Sequence, residues 1–306
     1  MNKDSDTEYV ATLVAGVSQT ISNSFLQTIL SHIEKSSASV LRIAWLEKGK
    51  AVDIFCIGTT FALLRAALVS GVKAQPVDFI VQPMAGRRKK FLFADMESTI
   101  IEQETLDEMA AVIGCRSEVE ALTARGMRGE IDFATSLRER TGLFSGQPAS
   151  LLDEVGKRIT VMPGAERLIF HMKEQHAICW LVSGGFTYFA EPVASRLGFD
   201  RVFANRLLLR DGTIGGEVAE PILDKNTKKL LLEQGCSEMK LSLQQTLAVG
   251  DGANDIPMLV ACHAGGGLAI AYHAKPSVRE IIPNQVNYAD LTALLYAQGY
   301  GSNQGA

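Results

Sequence analysis

Two short acidic segments, far apart in the chain, have the makings of one reaction centre. Asp95-Met96-Glu97-Ser98-Thr99 follows the apolar run Phe91-Leu92-Phe93-Ala94, and Gly250-Asp251-Gly252-Ala253-Asn254-Asp255 follows Thr246-Leu247-Ala248-Val249. Each apolar run reads as a buried parallel strand, and carboxylates at the carboxyl ends of such strands lie where open α/β sheets bind ligands. Acids from two neighbouring strand ends make an oxygen-rich pocket suited to Mg²⁺. A carboxylate held beside that ion serves as a phosphate-site ligand or as a nucleophile that forms an aspartyl-phosphate.

The elements that must position these acids can be read from periodicity. Residues from Tyr9 to Val81 carry a βαββαβ pattern: strand Tyr9–Val14, a helix from Asn23 and a strand through Leu41, Ile43 and Trp45. A turn at Glu47-Lys48-Gly49-Lys50, strand Val52–Ile57, helix Thr60–Leu68 and strand Val77–Val81 complete it. Phe25, Leu26, Ile29, Leu30 and Ile33 fall on one face of the first helix. Pro83 to Lys90 reads as a linker, giving expected domains of 1–85 and 86–306. In the second, strand–helix alternation resumes at Met162-Pro163-Gly164, with Pro163 expected in a first helical turn. Strand Ala177–Val182 runs into Ser183-Gly184-Gly185. A hairpin (Asn205–Leu209, Thr213–Val218), a helix through Lys228–Gln234 and strands Thr246–Val249 and Leu268–Tyr272 follow. The mostly helical stretch 105–157, inserted after the first strand, is placed to act as a lid over the strand ends.

Composition narrows the function. Apolar residues at 47% and charged residues at 21% are those of a globular chain, and a net charge of -4 argues against a dedicated nucleic-acid binder. The basic run Arg87-Arg88-Lys89-Lys90 is read as a solvated linker. Cys56, Cys115, Cys179, Cys236 and Cys262 lack C-x-x-C spacing and read as reduced core residues. The polar, acidic start Met1–Asp6 differs from a signal peptide, and no apolar run approaches the ~18 residues that cross a bilayer. A cytoplasmic protein without membrane or nucleic-acid partners is expected. Gly265-Gly266-Gly267 reads as a turn before a strand, and His273 as structural.

Taken in order, these segments resemble the haloacid dehalogenase superfamily and, within it, the phosphoserine phosphatases. The likeness rests on the nucleophile motif at Asp95, the Ser183-Gly184-Gly185 turn, a spaced lysine and the Gly250–Asp255 motif. Two cap segments add to it, Met127-Arg128-Gly129-Glu130-Ile131-Asp132-Phe133 and Ser136-Leu137-Arg138-Glu139-Arg140. The fold implied is a Rossmann-like α/β core with a parallel sheet, a helical cap and an N-terminal βαββαβ ACT-like domain. The activity implied is Mg²⁺-dependent hydrolysis of phosphoserine through phospho-Asp95. The resemblance makes Asp95 nucleophile and metal ligand, with the Glu97 backbone carbonyl and Asp251 as further ligands and Asp255 orienting a bound water. Ser183 and Gly184 would hold phosphate, Lys228 would offset its charge, and Asn254 would steady that lysine or the phosphate. Arg140 would take the substrate carboxylate and Glu104 its ammonium, while Met127 and Phe133 cover the site. The bland alternative for Arg140 is a surface ion pair with Glu139 or Glu130.

One residue departs from the pattern. The family carries Asp two places after the nucleophile, and Glu97 stands here, one methylene longer. The first reading is an acid/base in a site adjusted to its length. Transfer to an alcohol is the second reading: the phosphoserine:homoserine phosphotransferases also carry Glu there, but the rest of the cap looks more like the phosphatases. A weakly active phosphate or serine sensor ranks third. The ACT-like resemblance leaves a serine effector and a homodimer open, with support of folding or pairing ranked ahead of serine control.

Overall fold

The structure, a computed structural model, describes residues 7–301, and for Met127 only its backbone. The acidic start Met1–Asp6 lies outside the described residues. The first unit comprises β1 (Tyr9–Ala15), α1 (Asn23–Lys35), β2 (Ser39–Glu47), β3 (Ala51–Ile57), α2 (Phe61–Val72) and β4 (Val77–Pro83). Its strands form an antiparallel sheet in the order β2-β3-β1-β4. Ser22 and Thr60 start the helices by accepting the N–H groups of Phe25 and Leu63 at 3.1 and 3.3 Å. Leu26, Ile29, Leu30 and Ile33 bury the expected face of α1 against Leu13, Val52 and Ile54 of the sheet. β2 is an edge strand, and its Leu41 and Ile43 stay exposed.

The other sheet face is also covered. Val14, Ala51 and Ile80 enter the same apolar core as Tyr296 and Leu295 near the chain's end. Here the solvated-linker reading of Arg87–Lys90 holds for the exposed Arg88 and Lys90 and is corrected at Arg87 and Lys89. Arg87 grips Asp53 through two hydrogen bonds, 2.8 and 3.0 Å, and donates to the Ala297 and Tyr296 carbonyls. Lys89 is buried, its ammonium on the carbonyls of Gly86 and Gln244, both at 2.9 Å. Burial pushes that ammonium down to about 8. Partners distant in sequence thus draw in charges that local polarity assigns to solvent.

The second unit starts with β5 (Phe91–Asp95) and a cap of α3 (Thr105–Ile113), α4 (Arg116–Met127), α5 (Phe133–Gly142) and α6 (Ser150–Gly156). α7 (Ala165–Glu174), β6 (Ile178–Phe186), α8 (Thr187–Leu197) and β7 (Arg201–Asn205) follow, then the hairpin β8 (Leu207–Arg210) and β9 (Thr213–Val218). α9 (Lys225–Glu238), β10 (Thr246–Gly250), α10 (Ile256–Ala264), β11 (Leu268–Tyr272), α11 (Pro276–Arg279), β12 (Gln285–Val286) and α12 (Ala293–Ala297) complete the elements of the described residues. The sheet order is β12-β11-β10-β5-β6-β7, every pair parallel. The chain leaves β5 towards β6 and β7, then returns to β10 on the other side, so the topological switch point lies between β5 and β10.

The two stems joining core and cap are bridged at Ile101 and Val161 and held by Glu102 N–H on the Thr160 carbonyl and Met162 N–H on that of Ile100. α7 begins at Ala165, later than Pro163 suggests, because Gly164 takes φ +84° against the Thr292 backbone. All five cysteines are free. Among the described residues no helix is long and apolar enough to cross a membrane.

Candidate active site

Strand register brings the acids together. Ala94 lies level with Val249 of β10, and Asp95 with Val182 of β6, so Asp95, Asp251 and Ser183 share one sheet edge. Carboxylate oxygens of Asp95, Asp251 and Asp255 lie within 4.8 Å of one another, and all three residues are buried. Gly250 makes room: a Cβ there would fall 2.5 Å from the Asp255 carboxyl carbon. The Lys228 ammonium donates to Asp95 Oδ1, and to Asp255 Oδ1 at 2.7 Å. Asp255 Oδ2 accepts the N–H groups of Gly252 and Asp251 at 3.0 and 3.2 Å.

Helix α9 explains the choice of lysine. Asp224 caps it by accepting the N–H groups of Asn226 and Thr227. Lys228 shares its inner face with Leu232, Gly235 and Cys236, while Lys225 and Lys229 are exposed. Burial opposes the Lys228 charge, but Asp255 and Asp95 outweigh it and hold its pKa above the usual lysine value.

One cation against three buried carboxylates leaves excess negative charge. Burial, then Asp255, push the Asp95 carboxyl well up, with Lys228 pulling it back. Asp251 is pushed up to about 7 by burial and then by Asp255. A buried, all-oxygen donor set with surplus negative charge fits a hard divalent cation.

Beside the acids, Ser183 is fully buried and its Oγ accepts the Gly185 N–H at 2.8 Å. The Gly184 carbonyl accepts from Asn205 Nδ2 at 2.8 Å, and Asn205 Oδ1 accepts the Leu223 N–H at 2.7 Å. β6 runs through Ser183–Gly185, where the sequence suggests a turn, with its pairing to β7 interrupted between Val182 and Phe186, and the Asn205 amide ties this stretch to the segment leading into the lysine helix. The Phe133 ring closes over this stretch of β6: a Cβ on Gly184 would meet it at 3.3 Å.

Glu97 bridges core and cap. Its Oε1 accepts the Thr105 N–H at 2.8 Å and the Thr105 hydroxyl at 2.5 Å, and Ser183 Oγ lies 3.5 Å from Oε2. Burial, reinforced by Glu104, pushes its carboxyl up to about 7. Glu104, half-exposed, accepts from Ser98 Oγ at 2.9 Å. Lys275 stands 3.8 Å from Glu104 Oε1 and 3.6 Å from Asp251 Oδ2.

Arg140 forms neither surface pair considered for it. Glu139 pairs with Arg125 at 3.2 Å and Glu130 with Arg128 at 2.5 Å. Among the described residues Arg140 has no carboxylate partner, and its Nε donates to the Ser136 carbonyl at 3.3 Å. Burial draws its pKa down, against Glu97, Asp107 and Glu104. Asn254 does not hold Lys228 in this conformation. Asp95 and Asp255 do, while Asn254 Oδ1 lies over Gly252, where a Cβ would meet it at 2.4 Å. Met127 ends α4, and its side chain lies outside the described residues.

Three residues at this site were missed in the sequence: Thr105, Asn205 and Lys275. Asn205 had a weak signal, a polar residue closing a strand. Thr105 and Lys275 had none, since their partners lie across the fold.

A single catalytic edge, a buried acid cluster and a lid inserted after the first strand define a class. The chain belongs to the haloacid dehalogenase-like hydrolase family, which matches over residues 92–260. It is 36% identical over 259 residues to phosphoserine phosphatase SerB2 of Mycobacterium tuberculosis, an alignment covering 84% of this chain and 61% of that protein. The chain thus spans under two thirds of that relative's length. A solved haloacid dehalogenase family hydrolase of Salmonella enterica serovar Typhi superposes with a TM-score of 0.82 at 26% identity, covering 97% of this chain and 99% of its own. A phosphoserine phosphatase solved as a phospho-aspartyl intermediate analogue is 37% identical with a TM-score of 0.63, covering 68% of this chain and 98% of its own.

Proposed function

We propose that the chain hydrolyses O-phospho-L-serine to L-serine and phosphate, the last step of serine biosynthesis. The observation that carries this reading is the contact of Lys228 with Asp95 inside the buried Asp95–Asp251–Asp255 cluster. The cluster would hold Mg²⁺ through Asp95, Asp251 and the Glu97 backbone carbonyl, with Asp255 orienting a bound water. Bound there, the ion supplies charge neutralisation at the phosphoryl oxygens.

The chain's own groups divide the remaining work. Asp95 attacks phosphorus, and Lys228 offsets the charge that gathers on the transferred group. The end of β6 at Ser183 and Gly184 holds phosphate oxygens through hydroxyl and amide. Glu97, with a carboxyl pushed up to about 7, keeps enough proton near neutrality to donate to the leaving serine oxygen. It then takes a proton from the water that cleaves the aspartyl-phosphate. Arg140 can form a paired hydrogen bond to the substrate carboxylate, with Glu104 accepting from its ammonium. Phe133 excludes water above this end of β6.

Free thiols support a cytoplasmic setting. The ACT-like likeness of the first unit supports pairing of chains, and a rate altered by added serine would extend it to serine control. The primary test is phosphate release from phosphoserine with and without Mg²⁺. Multiple turnovers that need the ion and vanish in Asp95→Asn support the reading. Phosphohomoserine formed on adding homoserine would replace hydrolysis with transfer.

A further inference from the structure

Among the described residues Glu97 is gripped through one oxygen. Both Thr105 donors, the N–H at 2.8 Å and the hydroxyl at 2.5 Å, end on Oε1. Thr105 is the fully buried first residue of α3, where the chain enters the cap. A first-turn N–H has no partner inside its own helix. Glu104, in the capping position, makes no side-chain cap bond, so Glu97 supplies the missing acceptor from across the site. On its other side the carboxyl rests against Gly185, where a Cβ would fall 2.7 Å from Oε2 and 2.9 Å from Oε1. Two donors occupy Oε1, whereas among the described residues Oε2 has only the 3.5 Å contact with Ser183.

We propose that Thr105 is a positioning residue for Glu97, occupying Oε1 so that Oε2 carries out the proton exchange with substrate and water. This rests on the phosphatase reading and adds a residue to it. As the Asp95–phosphorus bond forms and the phosphorus–serine oxygen bond breaks, the departing oxygen takes the proton from Oε2. When water attacks phosphorus, Oε2 takes its proton and Asp95 is released. Glutamate suits this geometry because one C–C bond less, about 1.5 Å, would carry the carboxyl away from Thr105.

The test uses the full chain with Thr105→Val, which removes the hydroxyl and keeps the N–H, and Thr105→Ser, which keeps both donors. Each is assayed on phosphoserine and on p-nitrophenyl phosphate, whose leaving group needs no proton. Thr105→Val should lower kcat on phosphoserine by about 10²-fold, the cost of a group misplaced by about an ångström, with KM unchanged. Thr105→Ser should recover most of it. With p-nitrophenyl phosphate, Thr105→Val should still give a rapid burst of nitrophenol, since forming the phosphoenzyme from that ester needs no acid. An unchanged kcat in Thr105→Val, no recovery in Thr105→Ser, or loss of the burst along with turnover would each overturn the positioning role. Failure of the unsubstituted protein to hydrolyse phosphoserine is a separate result, read before any variant, and overturns the functional reading beneath it.

Discussion

Cation binding should release protons in mildly acid solution and few in alkaline solution. The Asp251 carboxyl, pushed up to about 7 by burial and then by Asp255, is the group whose share can be worked out. A carboxyl of that pKa is about nine tenths protonated at pH 6 and about one tenth at pH 8. A ligating carboxylate must be ionised, so binding displaces this proton, roughly 0.9 at pH 6 and 0.1 at pH 8. Asp95, also held well above the usual carboxylate range by burial, adds to the release. Lys228 adds none, because Asp255 and Asp95 keep it charged despite its burial. Per proton displaced, apparent affinity should fall about tenfold for each pH unit below 7. The sign also fixes a stability effect. Metal-free, the folded Asp251 keeps a proton that the unfolded chain gives up, so stability falls as pH rises from about 4 to about 7. That 3-unit gap corresponds to about 4 kcal/mol at most, and added cation should remove the loss. Calorimetric titration of metal-free protein with Mg²⁺, in two buffers of different ionisation enthalpy, counts the protons directly. No release at pH 6 would refute the reasoning, because Lys228 and its surroundings would then suffice to keep Asp95 and Asp251 ionised.

Substitutions at two further places, Arg140 and the Arg87–Asp53 pair, probe the rest of the molecule. Arg140→Lys should raise KM for phosphoserine by about 10- to 10²-fold, the loss of one charge-assisted hydrogen bond, and leave kcat on p-nitrophenyl phosphate unchanged; an unaltered KM in steady-state assays would remove Arg140 from substrate recognition. Arg87→Met strands the buried Asp53 carboxylate and should cost about 3–5 kcal/mol in denaturant unfolding. Adding Asp53→Asn should recover part of that, and no recovery in the double variant would show that the loss does not come from a stranded carboxylate.

The sequence was most readable where burial leaves a continuous pattern. Phe91–Ala94 and Thr246–Val249 are unbroken apolar runs because strands covered on both faces have no polar side to show, and each ends on the acids it presents. α1 was readable for the complementary reason, one face in and one face out. Arg87 and Lys89 were misread because no local pattern announces an Asp53 two strands earlier or a Gln244 carbonyl beyond the cap. Within the candidate site, strand-end residues could be placed from their own neighbours, but the consequence of Glu97 could not. Its extra methylene reads as misfit until Thr105 is seen to return over it from the cap.

The manner in which the first unit joins the second limits how serine control can be tested. Asp78 of β4 accepts the N–H groups of Asn287, Tyr288 and Ala289 at 2.8, 3.0 and 2.8 Å. The Ala289 carbonyl contacts His273 Nε2 at 2.9 Å, two residues before Lys275, whose N–H holds the Asp251 carbonyl at 2.9 Å. Removing residues 1–85 would therefore uncover the core around Tyr296 and Leu295 and unpin the loop behind an acid of the site. A rate lost on such a deletion says nothing about an effector. Substitution of residues confined to the helical side of the first sheet leaves Asp78 and Arg87 in place, so a serine response lost there with basal rate intact would belong to ligand binding rather than to a broken fold.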